Sequence, residues 1–462
     1  MDNPLTAGTG APSAAQGRGG GQPAAIASWT GTPAGIGDVP EPDAAAATVE
    51  HAAAHRRARA LDLALGSLGK LSDVTAWLAA VQGTSPPRPI TRPRAILLAA
   101  DHGIAEAGLY PWPAGATARR LAAVAAGAAP LAVLARRAGV GLRLVDLAVA
   151  TPPPDDAVTP VDVDAPVGDG DAVDPGDADA VAPVDVDVTA EADADVPAAA
   201  NLDVPAAGGD EATAEDAGDE TAREDDGGYR VRAGNGRIDR DDALTVAEAE
   251  RAFALGRRLA DEEIDAGADL LIPGALGVGA DTAAAVVVAA LRDHEPIDVV
   301  DRGDGTDDAR WMLRTAAIRD ALRRARPFAG DARSVLRVAG GADLAAIAGV
   351  LVQAALRRTP VIIDGPAACA AALAAERIAP GARAWWRVGG DCPDPAARHA
   401  VEALSLAPLL DLKIRADDGT GAFAAAALIA AAVEAAADLD AAAAELTGSA
   451  RDEATTDTAD IT

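Results

Sequence analysis

Four short stretches hold the residue types that do chemistry. Asp101-His102-Gly103 closes an apolar run and sets a carboxylate beside an imidazole. It reads as a contact for a polar ligand or as a strand-end turn with a satisfied histidine. Gly274-Ala-Leu-Gly277-Val-Gly279-Ala-Asp281 is a glycine-rich link whose backbone N–H groups can approach a phosphate. No Gly-Lys-Ser/Thr follows, so it is not a Walker-type loop. Asp281 either caps the next helix or fills the anion position with its own carboxylate. Arg302-Gly-Asp-Gly-Thr-Asp307-Asp308 precedes a segment carrying Arg314, and its plain reading is a capped helix with exposed charges. Asp417-Asp418-Gly419-Thr420-Gly421 puts two adjacent carboxylates before another helix. In a poorly hydrated site one of them is raised, which suits a general base; a capping turn is the alternative. No Ser-His-Asp order, HExxH or nucleophile elbow supports a hydrolase.

The elements that position these stretches alternate. Helical periodicity covers about Ala46–Gln82 around a Gly66-Ser-Leu-Gly69 break, then Ala116–Ala138, Val246–Asp265, Asp281–Arg292, Ala309–Ala325 and Leu344–Arg357. Short apolar runs at Arg94–Ala100, Val140–Val149, Asp269–Ile272, Pro360–Ile363 and Ala384–Val388 read as buried strands. Several end in glycine turns, as at Asp364-Gly365 and Gly389-Gly390, and Gly340-Gly341 opens a helix. Repeated strand–turn–helix units predict a parallel α/β sheet. Ligands of such sheets collect where strands' carboxyl ends feed glycine turns and helix N-termini.

Composition bounds the rest. Half of the 462 residues are apolar but only 2% are aromatic, so the core is built from Ala, Val, Leu and Ile. The net charge of −31 argues against nucleic acid and anionic membrane surfaces. It is concentrated: residues 151–230 hold 24 acids against two arginines, a net of −22. That stretch repeats PVDVD and DVPAA and is scattered with proline, so 151–228 is expected to be a disordered spacer. Residues 1–45 are expected to be a disordered leader, and 448–462 a flexible tail. Folded structure is expected over 46–150 and 229–447. Only Lys70 and Lys413 are lysines, which leaves little room for Schiff-base chemistry. Cys369 and Cys392 allow at most one disulfide, and no cluster suggests zinc. The N-terminus lacks the basic and apolar regions of a signal peptide, and charges or proline interrupt the Ala-rich runs before about 18 clean residues. A cytoplasmic location is the expectation.

The motifs, in this order, resemble the nicotinate-nucleotide–dimethylbenzimidazole phosphoribosyltransferases of cobalamin biosynthesis. The likeness runs through Gly66–Gly69, Leu98–Ile104 and Val133–Arg136. It resumes after the acidic stretch at Leu270–Ala284, Arg302–Asp308, Gly340–Gly349, Val361–Gly365, Glu402–Leu412 and Gly419–Gly421. It implies a three-layer parallel sheet of Rossmann-like units, a smaller helical domain from the chain ends, and a homodimer. It also implies a reaction: a benzimidazole nitrogen attacks C1′ of nicotinate mononucleotide, nicotinate leaves, and α-ribazole 5′-phosphate forms. The pyridinium is already an activated leaving group, so the resemblance implies no cofactor or metal. The work is alignment of two rings and a ribose phosphate, and removal of an azole proton.

Residue by residue, the family's catalytic glutamate falls on Asp418, one methylene shorter. Its phosphate-side lysine falls on Arg314, and its ring-contacting segment on Tyr110 and Trp112, of which Trp112 can stack on a planar base. The resemblance adds Asp101, His102, Gly274, Gly277, Gly279, Arg302, Gly340, Gly341, Asp364, Gly419, Thr420 and Gly421 to the substrate-binding set. The chain departs from the family at Ala275 (a glutamate), Ala280 (an asparagine), Asp281 (a threonine) and Gly390 (a histidine), with Gly389 and Cys392 at serine positions. Glycines are kept better than side chains that touch substrate. A second reading follows: a non-catalytic paralogue that binds nucleotide or azole for regulation or scaffolding.

Overall fold

The computed structural model describes residues 36–150, 162–163, 228–303 and 307–459, with side chains described as far as 446. The expected leader up to 35 and nearly all of the acidic spacer lie outside the described residues. In chain order the elements are α1 (Ala44–Ala60), α2 (Lys70–Gln82), β1 (Pro93–Ala100), α3 (Ala116–Ala125), α4 (Pro130–Arg137), β2 (Gly141–Ala148) and β3 (Asp162–Val163). After the spacer come α5 (Val246–Asp265), β4 (Leu270–Leu276), α6 (Ala280–Arg292), α7 (Pro296–Val299), α8 (Asp308–Ala325), α9 (Ala332–Val335) and α10 (Gly341–Leu356). The last third holds β5 (Val361–Ile363), α11 (Gly365–Ile378), β6 (Trp386–Gly390), α12 (Pro395–Ala403), β7 (Pro408–Leu410) and α13 (Thr420–Ala459). Helix α13 thus continues into the segment expected to be a flexible tail.

The sheet runs β3-β2-β1-β4-β5-β6-β7. All neighbours pair in parallel except β3, which lies antiparallel on β2. Strand β1 is buried from its second residue onward, as a strand covered on both faces must be. The chain moves from β1 to β2 on one side, then crosses to β4 on the other. That reversal makes the carboxyl ends of β1 and β4 the topological switch point, where doubly wound sheets bind ligands.

Small residues replace aromatics in the packing. Helix α10 is buried along nearly its whole length against α5. A Cβ on Gly256 would lie 1.9 Å from the Ala346 carbonyl, and one on Gly349 2.2 Å from the Phe253 carbonyl. Only glycine lets these backbones approach so closely. Helix α5 starts on a capping box between Thr245 and Glu248. The single helix expected over Ala116–Ala138 is two, broken where Gly127 turns left-handed and Pro130 starts α4.

Helices α1, α2 and α13, from the two chain ends, pack together. They form the smaller helical part expected from the chain ends, and they share one compact unit with the sheet. The reason is shared contacts: Trp77 of α2 donates its indole N–H to the Ala384 carbonyl at 3.1 Å, and α13 packs on β6. Arg57 of α1 is buried between Glu50, at 2.7 Å, and Asp440 of α13, at 2.6 Å. Among the described residues three helical stretches, Ala116–Arg137, Ala332–Leu356 and Thr420–Leu446, are by length and composition apolar enough to cross a membrane; the apolar window of Ala332–Leu356 is wholly buried inside the protein.

Candidate active site

A cavity of about 320 Å³ opens at the switch point. The segment after β1 contributes Tyr110 and Trp112, α3 contributes Arg120, the β4–α6 turn contributes residues 275–279 and Asp281, and the turn before α13 contributes Arg415–Asp418. A larger cavity, about 810 Å³, lies among the segments that lead into β1, β4 and β5, around Arg88, Asp269 and Arg358. It sits at the amino edge of the sheet, away from the glycine turns, and Asp269 there serves the backbone of Thr91 and Arg92.

Backbone contacts lock the cavity's two turns together. The Ala275 amide donates to the Asp417 carbonyl at 3.0 Å. A Cβ on Gly274 would lie 2.6 Å from the Asp418 carbonyl, so that glycine admits the 417–418 turn. The other glycines of these turns behave alike. A Cβ on Gly277 would meet the Ala100 carbonyl at 1.8 Å, on Gly279 the His102 Cβ at 2.7 Å, and on Gly421 the Asp364 carboxylate at 2.6 Å. Gly341 makes room for Asn235 and His102. Gly340 and Gly341 are buried, and a Cβ on Gly419 would face Ile272. These glycines admit protein; Gly277 and Gly279 also line the cavity.

His102 is fully buried behind that wall, with Nε2 2.9 Å from the Asp343 carboxylate. Burial disfavours its charged form, but Asp343, with Asp101 and Asp281 farther off, raises its pKa. Its Nε2 is occupied by Asp343 while its Nδ1 is buried without a hydrogen-bond partner among the described residues, and the ring does not line the cavity. Asp101 is likewise occupied: it accepts from the Thr117 hydroxyl at 2.5 Å and the Ala150 amide at 2.8 Å, tying β1 to α3 and to the end of β2. Arg302 lies outside the cavity wall, exposed, paired with Asp308 at 2.5 Å and stacked over Trp311. Asp364 is buried and accepts from the Gly421 amide at 2.9 Å, which pins the start of α13. Burial pushes its carboxyl up to about 7, although the amides of Gly421, Gly390 and Ala422 pull the other way.

Three of the expected residues meet around α6. Asp281 accepts from Arg314 at 2.6 Å, from the Tyr110 hydroxyl, and from the Thr282 amide at 2.8 Å. Burial works against the Asp281 charge, but Arg314 and these donors hold its carboxyl below the ordinary range. Burial and the Asp281 charge push the Tyr110 phenol well above its usual range. The carboxylate therefore fills the position at the start of α6 that a bound anion would take.

The neighbouring pair divides its roles. Asp418 accepts from the hydroxyl and amide of Thr420, at 2.6 and 3.1 Å, and borders the cavity. Asp417 accepts from the Ala367 amide at 3.0 Å. Burial, with Asp281 nearby, pushes Asp417 well above the carboxylate range, so the raised member is the first of the two. Trp112 is 54% exposed, and the Arg120 guanidinium stacks 5.1 Å from its ring centre. Arg120, Arg415 and Asp417 were not singled out as binding residues from the sequence; for Arg120 the spacing to Trp112 was the available signal. Cys369 and Cys392 are free and buried, and burial holds both thiols above their usual range, Cys392 at about 12.

Comparison with known proteins places this geometry. A family profile described as phosphoribosyltransferase matches residues 39–445. The chain is 42% identical over 384 residues to a nicotinate-nucleotide–dimethylbenzimidazole phosphoribosyltransferase of Mycolicibacterium paratuberculosis, covering 83% of this chain and 90% of that one. It is 41% identical over 396 residues to the protein of the same name from Mycobacterium avium, covering 86% and 92%. A solved structure of a so-named enzyme from Thermus thermophilus superposes with a TM-score of 0.64 at 28% identity, covering 84% of this chain and 95% of that one.

Proposed function

Because the chain belongs to this phosphoribosyltransferase family, we propose that it moves the phosphoribosyl group of nicotinate mononucleotide to 5,6-dimethylbenzimidazole, giving nicotinate and α-ribazole 5′-phosphate. An azole nitrogen attacks C1′ while the C1′–pyridinium bond breaks, its electron pair passing to the nicotinate nitrogen. The azole N–H proton passes to a carboxylate, for which Asp418 is the candidate. Alignment of the two rings supplies the rest of the rate. The observation that carries this reading is that Asp418 and the exposed face of Trp112 border one cavity at the switch point of the sheet.

A homodimer in the cytoplasm belongs to the same reading. The free thiols and the exposed Ile297, Met312 and Leu313 on α7 and α8 support it; sedimentation of the full chain checks the assembly.

The test is incubation with nicotinate mononucleotide and 5,6-dimethylbenzimidazole, following nicotinate and ribazole phosphate by mass spectrometry. Product formation is the expected result. Binding of either substrate without product favours the second reading, a non-catalytic binding protein, for which Ala275 and the internal Asp281 anion speak.

A further inference from the structure

We propose that Arg120, stacked on Trp112, is the cation that receives the phosphate of the ribosyl donor, in place of Arg314. This rests on the transferase reading above and identifies a specificity-determining residue within it.

The donor carries a doubly charged phosphate, and the cavity that must admit it is lined by three acidic side chains, Asp281, Asp417 and Asp418, of which Asp281 is held charged. A phosphate entering there needs a cation free to pair with it. Arg314 is committed: its side chain is mostly buried and lies 2.6 Å from Asp281. That carboxylate already takes the donors that a phosphate at the start of α6 would use, namely Arg314, Tyr110 and the Thr282 amide. Displacing it would strand a buried charge. Arg415, the next cation on the wall, pairs with Asp301 at 2.8 Å.

Arg120 differs from both. Among the described residues no carboxylate pairs with it, it borders the cavity, and its Cζ sits 5.1 Å from the Trp112 ring centre. Stacking holds the planar guanidinium in place while leaving its N–H donors at the edge, the arrangement that suits two-point recognition of phosphate. The position on α3 fixes the base of the side chain, and the indole fixes its plane.

Titration calorimetry with nicotinate mononucleotide and with its unphosphorylated riboside separates the possibilities. Expected for Arg120→Met is a ten- to hundredfold loss of affinity for the mononucleotide, with the riboside changed less than threefold. Arg137→Met, an exposed charge at the end of α4, should change neither. If Arg120→Met does not fold, Arg120→Gln makes the same comparison. The proposal is overturned if Arg120→Met binds the mononucleotide like the parent, or if the parent binds both ligands equally. Binding without turnover would overturn the transferase reading alone, since the Arg120 comparison is decided by affinity. Binding of neither ligand by the folded parent would overturn both.

Discussion

On the α6–α8 wall of the cavity, Asp281 takes Arg314 and Tyr110 as donors; on the α3 wall, Trp112 and Arg120 stand half in solvent with no carboxylate paired to them among the described residues. Both walls hold an arginine and an aromatic ring. The difference is one internal anion. It turns the first arginine into a structural group and leaves the second as the one able to receive a ligand. Charge content of a site is therefore a poor guide to what the site can bind until each charge's partner is known.

The sharpest way to break the comparison is at the residue both walls face. Asp418→Asn should cut turnover about 10²–10⁴-fold with substrate affinity little changed. Steady-state kinetics against calorimetric binding reads it, and full activity in the variant would remove Asp418 as the base. On the closed wall, Arg314→Met leaves the partly exposed Asp281 carboxylate without its cation, though still bonded by Tyr110 and Thr282, and should cost about 1–3 kcal/mol in denaturant unfolding. Adding Asp281→Asn should restore most of that loss, because the partner charge goes too. A single variant as stable as the parent would show that the pair is not formed in solution.

The carboxyls beneath the cavity give a pH test. Asp364 and Asp394 are each held at about 7, chiefly by burial. Both are therefore protonated in the folded chain at pH values where the unfolded chain has lost the proton. Their contribution to stability is fully present below about pH 4 and is lost as pH rises through about 7. Unfolding measured across that window should show the decline, and Asp364→Asn should flatten part of it. The smallest expected effect is on the open wall. Trp112→Ala should weaken binding of 5,6-dimethylbenzimidazole by about threefold to tenfold through lost stacking. An unchanged affinity would place the azole elsewhere in the cavity.

Much of the scaffold was legible because its signals are local. The run Arg94–Ala100 reads as a buried strand and is one, and helical periodicity places α5 at Val246–Asp265. Other elements carry no such signal. Strand β7 is three half-buried residues that exist because β6 offers an edge, and α12 depends on Asp394 capping it within the fold. The site was legible in part. The motif order identified the family, and Asp281 was open to two readings, cap or internal anion. What decided between them is Arg314, 33 positions away. The glycines misled in one respect: their spacing announces close approach but not of what, and at most of these turns the approaching group is the protein itself.

The buried Arg57 has a consequence for how the chain is made. Its neighbour Glu50 comes from the same helix, but Asp440 lies 383 positions downstream. Until that residue leaves the ribosome, the guanidinium cannot reach its long-range partner, and α1 has no α13 to pack on. The first described helix can thus pack early on α2, but it gains its last partner only when α13 is made. Ribosome-bound chains stopped before residue 440 should expose α1 to protease, even where the parallel strands ahead of it are already assembled.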